Sequence, residues 1–291
     1  MSQPAVKSPA QVSGFRSLAY FVRTHLTFSF GLAVLTVFLL MTIFPALFTG
    51  RDPLAIDTSA FLAAPSPSHP LGTDDLGRDL LARLVGGARI SLSIGVLAAA
   101  VAVALGAPLG LIAGYYRGPV DTVLSRALEA VMAFPALLLA LLFIAVLGPS
   151  LQALIIFLGI AYAPSVARVT RGNVLSILHR PYIEAARSYG ARGRDIMWRI
   201  VLPDMLAPLS VQASTIAALS VLGEAALSYL GLGVRPPDPA WGSMLRNSQG
   251  FLDLAPWYVL STGTAIFLLV LSFILVSDGL RELHDPYRSR R

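Results

Sequence analysis

An all-α membrane protein with six spans is the fold class this sequence predicts, and three observations carry it. Of the 291 residues, 55% are hydrophobic and 13% charged, against roughly 25% charged in ordinary soluble domains; mean hydropathy is +0.70. Six apolar runs approach or exceed the roughly 20 helical residues that cross a hydrocarbon core. The basic residues are spread unevenly over the segments that join those runs. Within lipid only helices and closed barrels satisfy every backbone polar group internally. Barrel strands need only about 9–11 residues, so runs of this length mean a helix bundle.

The runs are Thr27–Phe48, Ile90–Gly114, Ala127–Leu147, Leu151–Val166, Met205–Leu230 and Trp257–Ser277. The first is too long in its apolar core, and too far from the start, for a cleavable signal peptide. Ahead of it, Met1 to Ser13 reads as a disordered tail, and Phe15 to Leu26 as an interfacial helix with Arg16 and Arg23 near headgroups. In the second run Gly95, Gly106, Gly110 and Gly114 offer small surfaces for close helix packing. Phe134-Pro135 and Ala163-Pro164 are expected to kink or loosen the third and fourth runs. The fourth is the shortest, interrupted by Gly159 and Pro164.

Placing the N-terminus in the cytoplasm puts 16 Lys and Arg on the inner side and 6 on the outer side. This positive-inside bias puts both termini inside, and it accounts for the net charge of +6 without a nucleic-acid partner. Two outer segments, 49–89 and 231–256, and one inner loop, 167–204, are then the sizeable connections. Cysteine is absent and the four His are widely separated, which argues against disulfides, thiol chemistry and a metal site. Lys7 is the single lysine and no Gly-rich phosphate loop accompanies it. The chain cannot bind ATP in the usual way, so any such energy comes from a partner.

The inner loop is the most distinctive stretch. Pro181 can open a helix, Gly190 supplies a bend, Arg194 to Val201 reads as a second short helix, and Leu202-Pro203 as its stop. Ile196, Ile200 and Val201 share one face. Glu184 suits the dipole of the first turn, and Ala185 and Ala186 leave a smooth face that another protein can approach. The bland alternative is an amphipathic loop with solvated arginines. In the first outer segment, Thr73 or Asp74 can cap a helix carrying Leu76, Leu80, Leu81, Leu84 and Val85 on one stripe. In the second, Pro236, Pro237 and Pro239 force a turned backbone, and Trp241 and Trp257 read as interface anchors. Glu224 is the acid well inside an apolar run. It fits either the lining of a central pathway, with Ser228 and Tyr229 nearby, or a structural pairing with an arginine on another helix. Arg126 and Glu129, three apart, form a candidate pair.

The order Glu184, Ala185, Ala186, Gly190, Ile200, Leu202, Pro203 resembles the EAA loop of bacterial ABC importer permeases. The run from His69 through Leu71-Gly72-Thr73-Asp74, Gly77-Arg78-Asp79 and Gly87-Ala88-Arg89-Ile90-Ser91-Leu92 is similar to the peptide and nickel branch of those permeases, in its C-type subunits. Glu224-Ala225-Ala226-Leu227-Ser228-Tyr229-Leu230-Gly231 and the ending Ser277-Asp278-Gly279-Leu280-Arg281 agree with it, with Tyr229 for a common Phe and Ser277 for Gly. The resemblance implies a type I importer permease fold over 27–287, flanked by tails 1–26 and 288–291. It implies a cytoplasmic coupling helix between spans 4 and 5, at Glu184, and a place in the bacterial inner membrane. It implies a heterodimer with a second permease, two cytoplasmic ATPases holding ATP and Mg²⁺, and an external substrate-binding protein. The expected cargo is a dipeptide or short peptide, with nickel or glutathione as alternatives. An ion-driven secondary transporter would not need the inner loop, and a membrane-embedded enzyme would need clustered His, Asp or Glu at membrane depth.

Overall fold

The computed structural model describes residues 25–283; the readings of Met1–Ser13, of nearly all of Phe15–Leu26 and of the last residues fall outside them. Those described are helical apart from turns and irregular stretches between the helices. Helix α1 spans Leu26–Ile43 and α2 Leu80–Tyr116. Helices α3 (Gly118–Ala133) and α4 (Ala136–Leu147) follow, then α5 (Leu151–Ile177) and a short α6 (Pro181–Ser188). After α7 (Gly193–Ile196) and a π-helical turn at Met197–Val201 comes α8 (Leu202–Tyr229). Helix α9 (Trp241–Ser248) and α10 (Pro256–Leu283) complete the order. Five helical stretches are long and apolar enough to cross a membrane, and α3 with α4 makes a sixth only if the pair counts as one broken span.

The centre is the contact of α2 with α5, flanked by α8, while α10 packs on α8 and α1 on α10. The glycine spacing does the work expected of it. A methyl group on Gly106 or Gly110 would stand 2.7 Å from the Cβ of Val166 or Thr170, and one on Gly114 would stand 2.9 Å from the Cβ of Val174. The two backbones approach so closely that no side chain fits between them. At the other edge of the bundle, Gly31 of α1 faces Leu275 of α10, and Gly279 of α10 faces the Phe28 ring.

Four expectations need correction. The outer stripe is not helical from Thr73. Residues 73–79 form an irregular turn, and α2 starts after Asp79, whose carboxylate accepts from Ala82 N at 2.8 Å. The reason is that Asp74 has other partners. Its carboxylate accepts from the backbone N–H of Leu76 and of Arg78, both at 2.9 Å, and from Arg78 Nε at 2.7 Å. Arg83 Nε lies 3.3 Å from it, so one buried acid is neutralised by two buried arginines. Leu76, placed on the apolar stripe by spacing, is exposed.

The fourth run does not end at Val166. Pro164 is accommodated inside α5, which continues to Ile177. Nor does Pro203 end a helix. The π turn at Met197–Val201 widens the backbone just before it, where a proline lacks an N–H to give, and α8 runs on. Trp241 is not an interface anchor. It is completely buried, its Nε1 donates to the Leu84 carbonyl at 3.1 Å, and its ring meets Phe38 edge-on at 5.6 Å. The second outer segment therefore holds a helix, α9, that plugs the bundle end. The break at Phe134-Pro135 is stronger than a kink: Phe134 is extended, as a residue before proline prefers, and α3 and α4 meet at 88°.

The seam between α2 and α5 makes Gly110→Ala destabilising by about 1–3 kcal/mol, through overpacking. Gly172→Ala, where an added methyl meets nothing within 4 Å, should be neutral or slightly stabilising. Thermal unfolding of the detergent-solubilised protein measures both, and equal melting temperatures would remove the close-contact account.

Candidate functional site

The inner loop folds into a short, stiff element. Arg180 is extended and Pro181 occupies the first position of α6, where its missing N–H costs nothing. The helix ends with the paired bonds of a Schellman motif: Ala191 N donates to Ala186 O at 3.0 Å and Gly190 N to Arg187 O at 2.9 Å. Gly190 takes φ +81 in open space, so backbone handedness alone, and no clash, demands glycine there.

One residue anchors this helix. Ile183 is fully buried, while Glu184, Ala185 and Tyr189 face outward. Tyr189 is 91% exposed. Glu184 does lie in the first turn. Beyond the bend, Ile196 and Val201 are buried and Ile200 partly so, and Leu202 and Pro203 begin α8. The expected face of the second short helix is thus formed.

A polar cluster that the sequence did not reveal joins α6 to α8. The Tyr182 hydroxyl donates to Asp204 Oδ2. Arg180 Nη1 donates to the Tyr182 oxygen at 3.3 Å and lies 3.7 Å from Asp204. Partial burial, and then the hydrogen bond to the neighbouring Asp204 carboxylate, push the Tyr182 phenol above its ordinary pKa. The contact spans 22 residues, and nothing in local spacing announces it. On the far side, Tyr115 at the end of α2 closes over Gly193. Arg171 of α5 grips Asp121 of α3 through two bonds, at 2.5 and 2.6 Å. The loop is therefore tied to α8, α2 and, through α5, α3. Arg126 and Glu129 pair at 2.9 Å on the exposed side of α3.

The second candidate cluster is not a single site. Glu224 is wholly buried on α8. Its carboxylate accepts from Ser228 Oγ at 2.7 Å and from Ser91 Oγ of α2 at 3.3 Å. Its hydrogen-bond partners among the described residues are hydroxyls, not an arginine. Ser228 is buried beneath Gly233 and Gly242, so both residues sit at the junction of α2, α8 and α9. Tyr229 differs. It accepts from Gln249 Nε2 and lines a cavity of about 550 Å³ with Leu222, Ala226, Leu245 and Leu252. Ser91, 133 residues away in sequence, is the partner that sequence reading missed.

The family described as "Binding-protein-dependent transport system inner membrane component" matches residues 106–290. The dipeptide transport system permease protein DppC of Alkalihalophilus pseudofirmus is 43% identical over 88% of this chain and 84% of its own length. The di/tripeptide transport system permease protein DppC of Pseudomonas aeruginosa is 40% identical over 86% of each chain. The glutathione transport system permease protein GsiD of Pectobacterium atrosepticum is 37% identical over 91% of this chain and 88% of its own length. Among solved structures, an inward-facing MetNI methionine ABC transporter matches with a TM-score of 0.58. It is 20% identical and covers 70% of this chain and 97% of that one, which is a likeness of fold.

The burial of Glu224 sets an expectation. Glu224→Ala leaves two buried hydroxyls without their acceptor, at about 1–3 kcal/mol, whereas Glu224→Gln keeps an acceptor oxygen. Melting temperature should fall clearly for the first and little for the second. A Gln variant as unstable as the Ala variant would mean that charge, not the hydrogen-bonded bridge, matters.

Proposed function

The chain belongs to the binding-protein-dependent transport system inner membrane component family, and from that premise we propose that it is the membrane subunit of an ATP-driven importer of dipeptides or short peptides. The cargo follows from relatives named for dipeptide and di/tripeptide transport, 40–43% identical over most of the chain. Glutathione is the second reading, favoured by a relative at 37% identity, and it too is a small peptide. In this reading both termini are cytoplasmic, as the positive-inside bias suggests. A homologous permease, two ATPases carrying ATP and Mg²⁺, and an external binding protein complete the complex.

The observation that carries the mechanism is the standing of α6. Its anchor Ile183 is buried, its outer face presents Glu184, Ala185 and Tyr189, and Tyr182 and Arg180 connect it to Asp204 at the foot of α8. A helix held this way is displaced as a unit when its outer face is pushed. Docked in a cleft of an ATPase, α6 passes closure of the nucleotide-bound dimer to α8 through that cluster and to α2 through Tyr115. Helix α8 carries Glu224, Ser228 and Tyr229 at its other end, so movement at the inner face reaches the outer cavity along one element. Alternating access follows when two such subunits rock against each other. Gly190, Ile200, Leu202 and Pro203 shape the loop without touching the partner in this account.

Gly190→Val tests the reading. A β-branched residue at φ +81 is strained by about 1–3 kcal/mol, which should displace the helix end and lower peptide uptake about tenfold. Insertion and subunit assembly should be preserved. Uptake of a labelled dipeptide by proteoliposomes of the whole complex measures it, and full transport by a correctly assembled variant would sink the coupling role.

A further inference from the structure

Where α1 gives out, the structure has a groove with the chemistry of an amphiphile site. The apolar run of α1 ends at Ile43 and turns through Pro45–Leu47, beside the first turns of α2. Between them lies a cavity of about 440 Å³. Its lining is largely apolar, with Met41, Pro45, Ala46 and Val85, and includes Arg51 and Arg89. Both are exposed.

The charges at the rim are not balanced. Arg89 makes no hydrogen bond or ion pair with a described residue, and it stands on α2 immediately before the apolar run that begins at Ile90. Arg51 stands at 4.0 Å from Asp79, but that carboxylate already contacts His69 at 2.9 Å and caps α2 through Ala82 N. Asp52, the acid of the lining, accepts from Leu54 N at 2.9 Å and offsets one of the two positive charges, which leaves the lining net positive. A cation at the end of a span is costly unless it reaches water or an anion. Two guanidinium forks bind phosphate oxygens in pairs.

We propose that this groove binds an anionic phospholipid. Its phosphate sits between Arg51 and Arg89, and an acyl chain lies along Met41 and Val85 toward the exposed flank of α1. Charge selects the headgroup: two arginines favour a lipid with net negative charge, such as phosphatidylglycerol, over a zwitterionic one. The apolar lining selects a lipid over free phosphate, and Leu40 and Ile43 in the same turns of α1 are exposed. The bound lipid would fasten the end of α1 to the start of α2.

The test uses the intact transporter with its partner subunits. Native mass spectrometry after delipidation, with phosphatidylglycerol or phosphatidylcholine added back, reads occupancy. The wild-type complex should retain phosphatidylglycerol in preference to phosphatidylcholine. The double variant Arg51→Gln, Arg89→Gln should retain about tenfold less phosphatidylglycerol, with phosphatidylcholine unchanged. Equal retention of the two lipids by the wild type, or undiminished phosphatidylglycerol on the double variant, overturns the proposal. Displacement by inorganic phosphate to the level of the double variant would reassign the site to a free anion and overturn it equally. If the double variant fails to assemble, Arg89→Gln alone is read in the same way, and the selectivity of the wild type decides independently.

Discussion

The backbone-to-backbone seam between α2 and α5 is the constraint on which the rest depends. In lipid there is no hydrophobic force between helices, because the tails are as apolar as the side chains, so close packing must supply the attraction. Gly106, Gly110 and Gly114 supply it against Val166, Thr170 and Val174. They also fix what can happen elsewhere. With α2 and α5 in register, Ser91 is placed opposite Glu224 on α8, and Tyr115 is brought over Gly193 at the base of the inner loop.

The outer end is closed by different means. Asp74 gathers two arginines and two backbone N–H groups into a buried knot. Trp241 fills the space beside Leu84, Gly87 and Phe38. A buried acid held by this many donors is expensive to break and gives a single arrangement of the segment leading into α2. The inner end has the opposite character. It is built from a short helix with one buried anchor and a half-exposed polar cluster.

Much of this was legible in the sequence, for a physical reason. Apolar length, glycine four apart, proline positions and a C′ glycine are local codes, each acting within a few residues, and they gave the spans, the seam, the α3–α4 break and the bend at Gly190. The loop resemblance was equally local. What misled was also local. Thr73 and Asp74 have the chemistry of helix caps, but Asp74 serves Arg78 and Arg83 instead. Pro203 has the chemistry of a stop, but a π turn absorbs it. Trp241 has the composition of a membrane anchor, but it is a core residue.

By itself, then, the sequence determined that the chain is a helical membrane protein of the importer-permease type, because hydropathy, charge bias and the loop spacing are properties of contiguous residues. Only the tertiary structure decided which polar groups meet. It paired Glu224 with Ser91 across 133 residues, tied Tyr182 to Asp204, and separated Tyr229, at a cavity, from Glu224 and Ser228, inside the bundle. Such pairings depend on the rotation of whole helices about their axes, and that rotation is set by packing between distant segments.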